Sequence, residues 1–130
     1  MNEPVWVLDQ VVISVHQMLL AEHGGPSGIR DETLLQSALA RPKQLIAYEP
    51  ESSIFELAAS YSFGLAKNHP FTDGNKRIAL TVAAIFLELN GFSFNAPESE
   101  VVIYFENLAS SKITENQLAS WFKASSNSIT

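Results

Sequence analysis

His69, Asp73, Gly74, Asn75, Lys76 and Arg77 fall within nine residues near the middle of a 130-residue chain, in the run His69-Pro70-Phe71-Thr72-Asp73-Gly74-Asn75-Lys76-Arg77. Together they supply an imidazole, a carboxylate, a glycine, an amide and two cations. A histidine titrates at about 6.5 when unperturbed, which suits a general base near neutrality. The backbone N–H groups of a helix's first turn lack helical acceptors, and the N-terminal pole is positive. A glycine lets a ligand approach such backbone closely. Gly74, Asn75, Lys76 and Arg77 therefore form an anion hole suited to a di- or triphosphate. A carboxylate beside phosphates repels them unless a cation lies between, so Asp73 reads as a magnesium ligand. Phe71 is expected to point inward and anchor the loop.

Each residue also has a plainer reading. Asp73 alone is a good N-cap, and His69 alone a structural histidine. Lys76 and Arg77 alone are solvated charges, and Gly74 a turn residue. Their convergence before one apolar helix favours a phosphate-handling site and leaves the chemistry open. Lys67 lies within reach of a phosphate, and is equally natural as a cation at a helix C-terminus.

The elements that position this cluster follow from spacing. Ile78 to Leu89 carries one charge, Glu88, and reads as a buried central helix over about 74–89, closed by Asn90-Gly91. Before the motif, Ser53 and Glu56 have capping-box spacing and open a helix with Leu57, Ala58, Tyr61, Leu65 and Ala66. Val5-Trp6-Val7 is a short strand or extended lead-in. Leu8 to Glu22 has Val11, Val12, Val15, Met18 and Leu19 at helical spacing, ending at Gly24-Gly25. Asp31 caps a helix with Leu34, Leu35, Ala38 and Leu39, which Pro42 is expected to interrupt before a short piece resumes toward Ile46 and Tyr48. Phe92-Ser93-Phe94 is a short extended segment. Pro97 suits the first turn of a helix carrying Val101, Val102, Phe105 and Leu108. Thr114 and Gln117 box the start of a last helix with Leu118, Trp121 and Phe122. The expectation is a compact all-α domain spanning residues 1–130, with six or seven helices. Its core covers about 8–124, with a frayed tail over 125–130.

Composition narrows the classes. An apolar share of 46% supports one core. The net charge of −6 argues against a direct nucleic-acid groove, which needs clustered Lys and Arg. No purely apolar stretch is long enough for a membrane span, and the N-terminus lacks the pattern of a signal peptide. The chain has no cysteine, which fits a cytoplasmic protein. The three histidines lack metal-site spacing. His16 reads as a packed structural histidine, and His23 as a cation near a helix end.

The run from His69 to Arg77 resembles the motif of the Fic/Doc family, roughly H-x-F-x-[D/E]-G-N-x-R, and matches every fixed position. It is most similar to the Doc ("death on curing") branch. The resemblance extends through Gly24-Gly25 and Gly28-Ile29-Arg30-Asp31, Ser37-Ala38 with Arg41-Pro42, and Phe86-Leu87 with Asn90-Gly91, covering roughly Leu8 to Phe122. It implies a Fic-like helical fold and transfer of a phosphate-containing group from ATP to a protein hydroxyl. His69 would be the base and Asp73 the magnesium ligand. Gly74, Asn75, Lys76 and Arg77 would cradle the phosphates.

One departure bears on the group transferred. Adenylylating Fic proteins carry a glycine where Lys76 stands and a second arginine where Leu80 stands. Doc-type proteins share the lysine, and the resemblance implies a kinase that binds the nucleotide reversed, with its γ-phosphate at the histidine. The implied function is that of a Doc-like toxin phosphorylating a Ser or Thr of elongation factor Tu and so inhibiting translation. Its implied partner is a cognate antitoxin whose flexible C-terminal segment folds onto it. The alternatives are an adenylyl transferase of Fic type and a catalytically silent antitoxin-binding module. The family's target-docking flap corresponds to Arg41–Ser53, which makes Tyr48 and Glu49 candidates for substrate contact. Ser111 to Asn116 matches the pattern of Fic self-inhibitory helices, but reads more simply as the cap of the last helix. Arg30 and Asp31 read as a local ion pair or as part of the rim.

Overall fold

A computed structural model describes residues 3–129; Met1, Asn2 and Thr130 lie outside the description. Among the described residues there are six helices and one two-stranded sheet. They run α1 (Asp9–His23), α2 (Glu32–Tyr48), α3 (Ile54–Asn68), α4 (Asn75–Leu89), β1 (Phe92–Phe94), α5 (Glu98–Ala109), α6 (Glu115–Ala124) and β2 (Ser126–Ser128). The all-α expectation holds, at the lower of its two helix counts.

The axis of the packing is α3, which lies against α2, α4 and α6. It opens on the anticipated capping box, with the Ser53 hydroxyl accepting from Glu56 N–H and the Glu56 carboxylate accepting from Ser53 N–H. Gly64 lets α2 come close, since a Cβ there would stand 3.2 Å from the Ala38 Cα. Beside α3, α4 buries Ile78, Ala79, Val82, Ala83, Phe86 and Leu87. It is less enclosed than its composition suggests, because Lys76, Arg77, Glu88 and Leu89 face outward. Ser62 ties the pair by donating its hydroxyl to the Ala79 carbonyl at 2.7 Å.

Three local expectations are corrected. First, Pro42 does not interrupt α2. It is buried within a continuous helix, and packing outweighs the roughly 3 kcal/mol propensity cost of an interior proline. The adjacent Arg41 holds the helix from both sides, through the Ser60 hydroxyl at 3.2 Å and the Glu115 carboxylate at 2.6 Å. Second, α1 turns Val12, His16 and Leu20 inward, while Val11 and Met18 are exposed. Third, the tail is not frayed over 126–128. Ser126–Ser128 pairs antiparallel with Phe92–Phe94, and Ile129 N–H donates to the Gly91 carbonyl. The backbone of β1 supplies the partner that the polar tail sequence does not announce. Val5-Trp6-Val7 is an extended lead-in, with the Val5 N–H and carbonyl both bonded to the Asn90 side chain.

Candidate active site

The motif occupies the joint between α3 and α4. His69 ends α3 in the left-handed conformation, φ 48°, unusual outside glycine. The connection from α1 to α2 holds it there. Arg30 donates from Nε to the His69 carbonyl at 2.7 Å and from its terminal nitrogen to the Asn68 carbonyl at 2.8 Å, capping the end of α3. The N–H groups of Arg30 and Asp31 both donate to the Pro70 carbonyl, and Thr72 N–H donates to the Gly28 carbonyl. Arg30 is thus a clamp on the motif rather than the partner of Asp31, whose carboxylate caps α2 through Leu34 N–H. This function escaped the sequence, where the clamp and its target lie far apart; the Gly28-Ile29-Arg30-Asp31 similarity was the one signal pointing to it.

Phe71 is buried at 1% exposure, as expected of an anchor. Its ring stacks on His16 at 3.7 Å, and its N–H and carbonyl are both bonded by the Asn75 amide at 3.0 Å. Those bonds fix which end of the amide is oxygen, so Asn75 Nδ2 meets His69 Nδ1 at 3.4 Å as a donor. In the neutral ring the lone pair is then on Nδ1, and at this length the contact steers the ring more than it holds it. The Asn75 side chain is 5% exposed and committed to the loop, so what it offers a ligand is its backbone N–H.

α4 begins on Gly74, whose φ of 79° suits a residue without a Cβ. No side chain caps this start, which leaves the N–H groups of the first turn for a ligand or solvent. Asp73 lies immediately before, with Oδ1 accepting from Gly74 N–H at 2.8 Å. His69, Thr72, Asp73, Gly74, Asn75, Lys76 and Arg77 line a cavity of about 240 Å³. One contiguous run thus brings together an imidazole, a carboxylate, open backbone donors and two cations. Lys76 reaches across to Glu106 on α5 at 2.9 Å, whereas Arg77 stays exposed at the mouth. Lys67 is a correction: its ammonium bonds the Ser111 hydroxyl and lies 5.6 Å over the Phe63 ring, and it does not line the cavity. A larger open cleft of about 970 Å³ separates α5 from α6. Its walls, including Ile103, Tyr104, Ile113 and Trp121, contain none of the motif, so its size does not bear on the chemistry.

Among the described residues, no three His, Cys, Asp or Glu side chains converge as a metal-binding set. Magnesium keeps several waters and takes phosphate oxygens with one or two carboxylates. Asp73 at the edge of an anion seat fits an ion that arrives with a polyphosphate.

The Fic/DOC family model matches residues 6–87, which holds α1 to α4 and the whole motif. The chain belongs to the Fic/DOC family. Two relatives of this Fic/DOC chain carry the name Doc. "Protein kinase doc" of Escherichia phage P1 is 35% identical over 88 residues, which is 67% of this chain and 70% of that protein. "Toxin Doc" of Mycolicibacterium smegmatis is 38% identical over 74 residues, 56% of this chain and 57% of that protein. The self-inhibitory pattern has no such role in this Fic/DOC chain's geometry: Thr114 and Gln117 form a reciprocal cap on α6, and Glu115 is paired with Arg41. Of the flap segment, residues 41–48 are helical and only 49–53 form a loop, with Tyr48 90% exposed at the junction.

Proposed function

We propose that the chain is a Doc-type toxin that transfers the γ-phosphoryl group of ATP to a Ser or Thr hydroxyl of a protein, elongation factor Tu being the target its family resemblance implies. The observation that carries the proposal is the uncapped, cationic start of α4 beside His69. The N–H groups of Asn75, Lys76 and Arg77 bind the polyphosphate, and Gly74 lets it approach the backbone. Asp73 would hold magnesium, whose charge would offset that of the phosphates. The His69 imidazole takes the proton of the target hydroxyl as its oxygen bonds to the γ-phosphorus. The bond from that phosphorus to the bridging oxygen breaks, and ADP leaves with the electron pair. Positioning and charge neutralisation carry most of such a reaction.

Lys76 and Leu80 favour phosphoryl over adenylyl transfer. Lys76 stands where the adenylylating proteins carry a glycine, and Leu80 packs against the core where a phosphate-binding arginine would be needed. The name of the phage relative points the same way. Gly74 and Arg77 retain what adenylyl transfer would also need, so the group transferred must be read directly. Tyr48 and Glu49 would meet the target. A cognate antitoxin with a flexible C-terminal segment would restrain the enzyme, and the reaction would run in the cytoplasm. Among the described residues, no helix is long and apolar enough to cross a membrane.

Parallel incubations of elongation factor Tu with ATP labelled at the γ- or the α-phosphate test the proposal. Label is expected from the γ position alone, and not with a His69→Ala protein that unfolds at the wild-type temperature. Label from the α position would mean adenylyl transfer. No label from either would refute transfer to this target.

A further inference from the structure

The Asp73–Gly74 peptide is gripped from behind by the middle of α1. His16 is buried at 2% exposure, and its Nε2 lies 2.7 Å from the Asp73 carbonyl oxygen. A carbonyl only accepts, so Nε2 carries a proton and donates it. Phe71, stacked on the imidazole, sets the plane from which that N–H points. Just past the end of α1, Gly25 closes the other side. A Cβ at Gly25 would stand 2.4 Å from Asp73 Oδ2, and one at Gly74 would stand 3.6 Å from His16 Nε2. Leu20 packs against both glycine positions, at 3.5 and 3.8 Å from the same two points. The peptide that His16 grips also carries the Gly74 N–H that bonds Asp73 Oδ1. Rotating that peptide swings the carboxylate and tilts the first open donors of α4 together.

We infer that His16 is a positioning residue for the Asp73 carboxylate and that Gly25 sets the limit of that carboxylate's travel, so that α1 and the turn that follows it tune magnesium–nucleotide binding at the start of α4. The inference rests on the reading of Asp73 as the carboxylate that holds magnesium. A histidine that merely fills the core would be replaceable by any ring of similar size. One that orients Asp73 would be replaceable only by a group that keeps the donor.

Two substitutions separate these roles. His16→Phe keeps an aromatic ring against Phe71 and removes the N–H; His16→Gln returns an amide N–H near the position of Nε2. Calorimetry of ATP binding to the full chain at a series of magnesium concentrations reads the effect without requiring turnover. His16→Phe is expected to raise the half-saturating magnesium concentration about ten-fold, the scale of one lost hydrogen bond. His16→Gln is expected to recover most of that. Wild-type binding that His16→Phe leaves unchanged, or a His16→Gln protein no better than His16→Phe, would overturn the inference alone. Wild-type protein that binds ATP without regard to magnesium would overturn the reading of Asp73, and the inference with it. If His16→Phe does not fold, Gly25→Ala tests the same geometry from the other side: a similar rise in required magnesium supports it, and an unchanged requirement overturns it.

Discussion

The first turns of α4 and α6 are built to opposite rules. α6 opens on Thr114 with a reciprocal box to Gln117 and has Glu115 in its first turn, where the helix dipole favours an acid. α4 opens on a left-handed glycine, has no side-chain cap, and places Lys76 and Arg77 where the dipole disfavours cations. A missing cap costs about 1 kcal/mol, and each misplaced charge roughly 0.3–1 kcal/mol. The helix that gives up this stability is the one beside His69 and Asp73. What is poor as a helix start is good as an anion seat, and the contrast separates residues kept for folding from those kept for binding.

The contrast can be broken most severely at the α4 side. His69→Ala should lower phosphoryl transfer at least about a hundred-fold, the lower range for loss of a general base, while thermal unfolding stays at the wild-type midpoint. Steady-state transfer and calorimetric scans check both halves. Next in size, Arg77→Glu should weaken ATP binding about ten-fold or more yet stabilise the fold by roughly 0.5 kcal/mol, because it swaps an adverse charge for a favourable one at the helix's positive pole. Denaturant titration beside calorimetry would expose this opposition, and a loss of both would contradict it. On the α6 side the signs reverse. Thr114→Ala should destabilise the fold by about 1 kcal/mol, seen as a lower urea midpoint, with transfer by the folded protein unchanged. The smallest effect is expected at Glu106→Gln. Releasing Lys76 from this exposed pair should tighten ATP binding about two-fold and leave the unfolding midpoint where it was.

How much of this was legible in the chain followed from sequence distance. The capping residues Asp31, Ser53 with Glu56, and Thr114 with Gln117 act within a few residues of themselves, and all were readable. So was the convergence at His69 to Arg77, since one helix–loop–helix joint supplies the whole cavity lining. The misreadings lie where a partner from elsewhere decides. α1 carries apolar residues on two adjoining faces, and only its seat on α4 selects Val12, His16 and Leu20 over Val11 and Met18. Ser126-Asn127-Ser128 has no strand pattern of its own; β1 makes it a strand. Pro42 broke a local rule that burial overrode. Lys67 and Lys76 look free in sequence, but Ser111 and Glu106 occupy their ammonium groups. Arg30 and His16 act on backbone atoms 38 to 57 positions away, beyond any spacing rule.

The anion seat itself is open to direct observation by backbone amide NMR during titration with ATP and magnesium. The largest shifts are expected at Gly74, Asn75, Lys76 and Arg77, with Thr114 to Gln117 unmoved. Shifts confined to the cleft between α5 and α6, or no shifts at saturating nucleotide, would contradict the assignment of the α4 start as the phosphate site.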